Sequence, residues 1–213
     1  MANGQVLAKV RDAVADQDIG RYCFICGEPG VDVSQTAEGE VFICRAAGHR
    51  SPRAYIFDGK ARFTFSGDRL FHESVGALVQ RRAGLERQTL LFLRRRYPYQ
   101  YTIPAGHLEM DRDPAHEMAR ELQEETGLTA HQASQIWPEE PLLIHGPCRR
   151  GADWHHWHVF QVQAQGQPCL SDEGRIIGWY RDQEIQDFAE RDMLTAAVRV
   201  ILQRLGVISR LAS

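Results

Sequence analysis

The chain has 213 residues, a formal net charge of −3 and a hydrophobic fraction of 43%. That length buries one good core with something attached, or two small domains, and the ordinary charged and aromatic fractions exclude a mainly disordered chain. No run of roughly 18 apolar residues is present to span a membrane, residues 1–10 lack the basic-then-apolar pattern of a signal peptide, and the negative balance argues against a nucleic-acid partner, so a cytoplasmic protein is expected.

Val6, Leu7, Val10 and Val14 recur at helical spacing up to the stretch from Asp16 to Gly20. They predict a short amphipathic helix within residues 1–20, packed on the body of the protein or on a second copy in a homodimer.

Residues 21–62 differ in character, being turn-rich, with short β-type runs at Val41-Phe42-Ile43 and Ala54-Tyr55-Ile56-Phe57. Cys23 and Cys26 form a C-x-x-C knuckle closed by Gly27, and Cys44 and His49 follow as a second pair. A tight turn lets both sulfurs of a knuckle face one ion, and the second pair would complete the S3N tetrahedron that zinc accepts. A redox C-x-x-C would open a helix, which Gly27-Glu28-Pro29-Gly30 argues against. A segment of about 40 residues is too small to fold on burial alone, and a metal would supply the missing stability. With four protein ligands, such a zinc is structural. The module resembles a zinc ribbon. The cysteine total is odd, five, which speaks for a reducing compartment; Cys148 and Cys169 have no spaced partners and read as ordinary residues.

Residues 63–185 alternate strands with one strong helix. Val75 to Val79 and Leu90 to Leu93 are predicted strands separated by a polar loop from Arg81 to Gln88, and Trp154 to Val162 and Ile176 to Tyr180 are two more. Asp113 as N-cap, Pro114 at the first position and Gly127 at C′ predict a helix over 114–126. In residues 186–213, Leu194, Ala197, Val198, Ile201, Leu202 and Leu205 predict a C-terminal helix ending at Gly206.

On the 114–126 helix, Glu121, Glu124 and Glu125 fall on or near one face, where they repel one another and oppose the helix dipole. The plain alternative is a solvated acidic face. A hard divalent cation would remove the conflict, and magnesium held by carboxylates commonly recruits phosphates.

This stretch resembles the Nudix box, G-x5-E-x7-R-E-U-x-E-E-x-G-U with U aliphatic. Gly106, Arg120, Glu121, Leu122, Glu124, Glu125, Gly127 and Leu128 match eight of the nine fixed positions. The resemblance implies an α+β fold: a Nudix α/β/α sandwich with a mixed sheet, preceded here by the zinc-ribbon-like module and flanked by the terminal helices. It implies further that Glu121, Glu124 and Glu125 hold Mg2+ (or Mn2+) against a pyrophosphate, with the Gly106 carbonyl as a further ligand. Glu121 is a candidate base or base-positioning ligand, and Arg120 would orient a box glutamate by ion pairing. A late acidic residue completes the shell, Glu173 first and Asp172 second. One position departs: Arg112 stands where the first glutamate belongs, with Glu109, Asp111 and Asp113 nearby but out of register.

The function this implies is magnesium-dependent hydrolysis of the diphosphate linkage in a nucleoside diphosphate derivative (a nucleotide sugar, ADP-ribose or a dinucleotide). The alternative is a catalytically weakened ligand sensor whose zinc module contacts protein or nucleic acid, for which Arg45, Arg50, Arg53, Lys60 and Arg62 would offer a local basic patch. The order of modules is similar to that of NADH pyrophosphatases, but their downstream S-Q-P-W-P-F-P run is missing; Ile136-Trp137-Pro138-Glu139 is a faint echo, so NAD(H) is not favoured. Of Arg94, Arg95 and Arg96, strand alternation lets only some reach the phosphates. In Trp154-His155-His156-Trp157-His158, a tryptophan for base stacking and a histidine for hydrogen bonding are candidates, with a second metal site and plain sheet packing as the other readings; His107 and Tyr101 beside the box are candidates too.

Overall fold

The computed structural model describes residues 2–16, 19–36 and 39–209. The N-terminal part holds α1 (Ala2–Asp16), β1 (Gly20–Cys23), β2 (Val31–Thr36), β3 (Gly39–Cys44), β4 (Arg50–Ser51) and β5 (Ala54–Phe57). β2, β3 and β4 form an antiparallel sheet, and β1 pairs with β5. Leu7, Val10 and Val14 of α1 are buried with Tyr22, Tyr55, Phe57 and Leu70, so the helix packs on the body of its own chain. Gln17 and Asp18, where this helix is expected to end, lie outside the described residues.

The remainder comprises β6 (Phe63–Ser66), β7 (Arg69–Ala83), β8 (Glu86–Arg94), β9 (Tyr101–Thr102), β10 (Ala105–His107), α2 (Pro114–Thr126), β11 (Thr129–Gln135), β12 (Leu142–His145), β13 (Trp154–Gln165), β14 (Gly174–Arg181), α3 (Asp182–Glu190) and α4 (Ala196–Arg204). The main sheet runs β11-β13-β7-β8-β14, with β6 and β10 on β7, β9 on β8 and β12 on β13. β13 and β7 are parallel and the other pairs antiparallel, so the sheet is mixed.

Alternation along β7 divides the core into two layers. Val75, Ala77 and Val79 pack beneath α2 with Leu90, Met118 and Leu122. Leu78 points the other way, into a layer with Leu91, Ile103, Ile185 of α3, and Val198, Ile201 and Leu202 of α4. The fold is therefore the expected α+β sandwich of helix, mixed sheet and helix. Among the described residues, no helix is long and apolar enough to cross a membrane.

Two expectations are corrected. The stretch from Arg81 to Gln88 is not a loop: β7 and β8 pair through Arg81↔Gln88, Arg82↔Arg87 and Ala83↔Glu86, and the turn lies at Gly84, with φ of 65°, and Leu85. The hairpin tip is exposed, so Arg81, Arg82, Glu86, Arg87 and Gln88 flank it, even Leu85 lies in solvent, and no apolar alternation marks it. The C-terminal helix starts at Ala196, capped by Thr195, whereas Leu194 is drawn into a bridge with Tyr101.

Candidate active site and the cysteine cluster

The capped helix forms as its sequence dictates. The Asp113 carboxylate accepts from Ala115 N at 2.9 Å and His116 N at 3.1 Å, and Gly127 adopts the left-handed conformation at φ 69°. Met118 and Leu122 press into the sheet, which turns Glu121 and Glu124 toward a cleft of about 700 Å3.

β10 brings Gly106 under this helix. A Cβ on Gly106 would lie 2.2 Å from Glu121 Oε1, so the carboxylate crosses space that only glycine leaves open. Glu125 is buried and accepts a hydrogen bond from Ala105 N at 2.7 Å. Arg120 gathers the helix carboxylates: Nε donates to Glu117 Oε1 at 3.0 Å, Nη1 to Glu124 at 2.6 Å and Nη2 to Glu121 at 2.5 Å. Burial, and then the charges of Glu117, Glu124 and Glu173 acting against Arg120, pushes Glu121 up to about 7. Glu125 is driven well above its ordinary value, again chiefly by burial.

Of the late acidic candidates, Glu173 lines the same cleft and is held by Arg96 at 2.5 Å, while Asp172 is exposed outside the lining. Lys60, Arg94 and Arg96 line the cleft as well; Arg95 does not. Arg94 Nε is buried without a hydrogen-bond partner. Trp157, His155 and His107 face the cleft. Trp154 instead packs against His145 and Phe71, and Tyr101 stacks on Phe188 with centroids 4.5 Å apart.

Arg112, at the departing box position, extends into solvent 3.7 Å from Glu109. Glu117, which the sequence reading passed over, is 2% exposed and supplies a carboxylate for Arg120. Its signal was present in the sequence: an acid three residues before the box arginine on a capped helix.

Apart from the cleft, Cys23, Cys26, Cys44 and His49 converge. Cys26 Sγ is 3.8 Å from Cys44 Sγ, and Cys23 Sγ is 3.7 Å from His49 Nδ1. Zinc bonds of about 2.0–2.3 Å in a tetrahedron place ligands about 3.4–3.8 Å apart, so the donor set fits such an ion. Burial raises Cys44, but the N–H groups of Ala47 and Ala46, together with hydrogen bonds to Cys26 and Cys23, outweigh it and hold the thiol below its usual value. The local basic patch is largely consumed internally: Arg45 pairs with Asp32, Arg53 with Asp153 at 2.6 Å, and Arg62 with Glu73 at 3.1 Å.

A model of the NUDIX domain matches residues 70–205, more than half of the sequence. The chain thus belongs to the NUDIX family, and the match runs through α4. Similar solved structures include an Ap4A hydrolase from C. elegans (17% identity, 63% of this chain and 94% of that one, TM-score 0.50). A MutT protein from Methanosarcina mazei Go1 gives 22% identity, 64% and 93% coverage, and a TM-score of 0.51. The NUDIX domain of Shewanella oneidensis NrtR, solved with ADP ribose, gives 14% identity, 63% and 86% coverage, and a TM-score of 0.50. Likeness at these identities establishes the fold. No curated protein matches the sequence.

Proposed function

We propose that the protein is a Mg2+- or Mn2+-dependent hydrolase of the diphosphate linkage in a nucleoside diphosphate derivative, with a structural zinc in its N-terminal module. The observation that carries this reading is the polarity of the cleft. Glu121, Glu124 and Glu173 stand on one part of its wall, and Lys60, Arg94 and Arg96 also face in. Glu121 is crowded by burial and like charge to a pKa of about 7, which is costly for a folded protein unless a cation belongs there. The Gly106 carbonyl, Glu121, Glu124, Glu125 and Glu173 would hold that cation. When bound, it would neutralise charge on the diphosphate and make water a better nucleophile.

The chain's own residues divide the remaining work. Arg120, tied to Glu117, holds Glu121 and Glu124 at fixed angles. The unpartnered Arg94 Nε, with Lys60, offers donors to phosphate oxygens, and guanidinium geometry suits them. Glu121 takes the proton of the attacking water or positions the group that does. Water attack at phosphorus breaks a phosphoanhydride P–O bond and leaves a nucleoside monophosphate and a phosphorylated second product. Trp157 offers a face for the base. The solved relatives that act on Ap4A or bind ADP ribose support a nucleotide as ligand. Glu117 in partnership with Arg120 favours an enzyme over a weakened sensor, because the helix retains a buried acid for its arginine despite Arg112.

The test is release of nucleoside monophosphate, read by chromatography or as phosphate after a coupled monoesterase, from ADP-ribose, NADH, diadenosine polyphosphates and nucleotide sugars, with and without Mg2+. Turnover that requires the metal and falls at least about a hundredfold in Glu124→Gln is expected. No metal-dependent turnover across the panel defeats the enzyme reading.

A further inference from the structure

A second cluster of metal-type donors lies on the opposite face of the sheet from α2. His72 in β7, His107 in β10, His155 in β13 and Cys148 in the loop before β13 present ligand atoms that all lie within 4.8 Å of one another. Sheet register brings them together. His72 and His155 are direct partners across the parallel pair β7–β13, and His107 pairs with Ser74, two residues along β7 on the face that His72 occupies. Ring centroids are 4.9 Å apart for His72–His107, 5.7 Å for His72–His155 and 5.6 Å for His107–His155.

Ordinary core histidines have their ring nitrogens satisfied by hydrogen bonds. Here His72 Nδ1 faces only Cys148 Sγ, at 3.6 Å, and His72 Nε2 has no partner at all, although the residue is 1% exposed. An orphaned buried nitrogen is a cost that a coordinate bond would remove. Burial holds all three imidazoles below their usual pKa, leaving them neutral donors.

The thiol carries an independent sign. Burial pushes the Cys148 thiol up, and against it act the backbone N–H groups of Arg150 and Ala152, directed at Cys148 Sγ as those of Ala46 and Ala47 are at Cys44 Sγ; both turns contain a glycine of positive φ, Gly151 and Gly48. N–H donors of this kind favour a thiolate ligand. The cations beside the cluster are already neutralised, Arg53 by Asp153 and Arg150 by Asp58.

We propose that His72, His107, Cys148 and His155 form a second metal site for a divalent zinc-type ion, held as a closed N3S shell. Imidazole and thiolate suit zinc and its neighbours rather than magnesium. The site fastens the 147–152 loop to the sheet. That loop also receives β5, through Ala54 N to Arg149 O at 3.0 Å and Ile56 N to Arg150 O at 3.4 Å. The ion thereby joins the N-terminal module to the strands that carry Gly106.

Metal analysis of the full-length chain, loaded with zinc under reducing conditions and freed of loose ion, tests this. Wild type is expected to retain about two equivalents, and Cys148→Ser and His155→Gln about one fewer, whatever the occupancy of the first site, which Cys26→Ser reports separately. Equal zinc in wild type, Cys148→Ser and His155→Gln overturns the proposal. Should these variants not fold, cobalt titration of wild type decides. A tetrahedral site with a single-thiolate charge-transfer band, beside or without a three-thiolate one, supports it; a three-thiolate spectrum alone at saturation overturns it.

Discussion

Arg120 shows how a departure from a motif can be absorbed one turn away. Its guanidinium is shared among Glu117, Glu121 and Glu124, while Arg112 lies in solvent. Glu117→Gln is therefore expected to weaken the helix by about 2 kcal/mol in chemical denaturation, the scale of a hydrogen bond to a charged group, and to lower turnover. Arg112→Glu should leave turnover within about twofold, since its side chain is exposed and its partner Glu109 is not among the carboxylates proposed to hold the cation. Gly106→Ala separates fold from site: the colliding atoms are Cγ, Cδ and Oε1 of Glu121 alone, so the side chain must turn from its base, and stability should fall by about 1 kcal/mol. Turnover should fall about a hundredfold, because Glu121 is displaced by about an ångström or more. Thermal melts and steady-state kinetics on the same preparation would show the split.

The pH behaviour of Glu121 belongs to this scale too. Its folded pKa of about 7 lies above its ordinary value of 4.5. The metal-free protein thus binds an extra proton between those values and loses stability as pH rises through them. A cation needs the ionised form, so apparent Mg2+ affinity should climb as pH approaches about 7 and level off above it, and the Mg2+-induced rise in Tm should grow over the same window. Calorimetric titrations at several pH values that show flat affinity would contradict this.

Elements with a strong local code were legible in the sequence, and those coded by long-range pairing were not. α2 was readable to the residue because Asp113, Pro114 and Gly127 each act within a turn of the chain; Asp113→Ala should cost about 1 kcal/mol. β13 and β14 were readable from branched and aromatic content. The β7–β8 hairpin tip escaped because it is held by backbone pairing and by Arg81 lying over Trp179 at 4.3 Å, not by an apolar face. α3 left a signal, Ile185, Phe188 and Ala189 at helical spacing, that a nine-residue helix makes easy to miss. Of the His72–His107–Cys148–His155 cluster, His107 and His155 lie in stretches the sequence marks, but nothing local joins them to His72 or Cys148. The cluster's spacing has meaning only once β7 and β13 lie parallel in a particular register, and no short-range rule yields that.

At the scale of the molecule, the cysteine module and the family domain share a core. Tyr22, Tyr55 and Phe57 pack with Leu70 of β7 and Ala152, alongside α1. The module's own interior is Val31, Phe42, Ala54 and Ile56 together with Cys23 and Cys44, so two of its six buried apolar-class side chains are proposed ligands. So small an interior of its own is the reason the proposed zinc would matter to its stability. Cys26→Ser should therefore unfold β1 to β4 first, seen as lost amide-exchange protection there, while β7, β8 and α2 stay protected. The loss should still reach the cleft, because β5 is bonded to Arg149 and Arg150, and Arg149, Arg150 and Lys60 line it. None of these residues is among the carboxylates that would hold the cation, so KM should rise several-fold while kcat changes by less than about twofold. A fall in kcat at constant KM would place the module's influence on α2 itself, and wild-type exchange in the variant would show that the module folds without its ion.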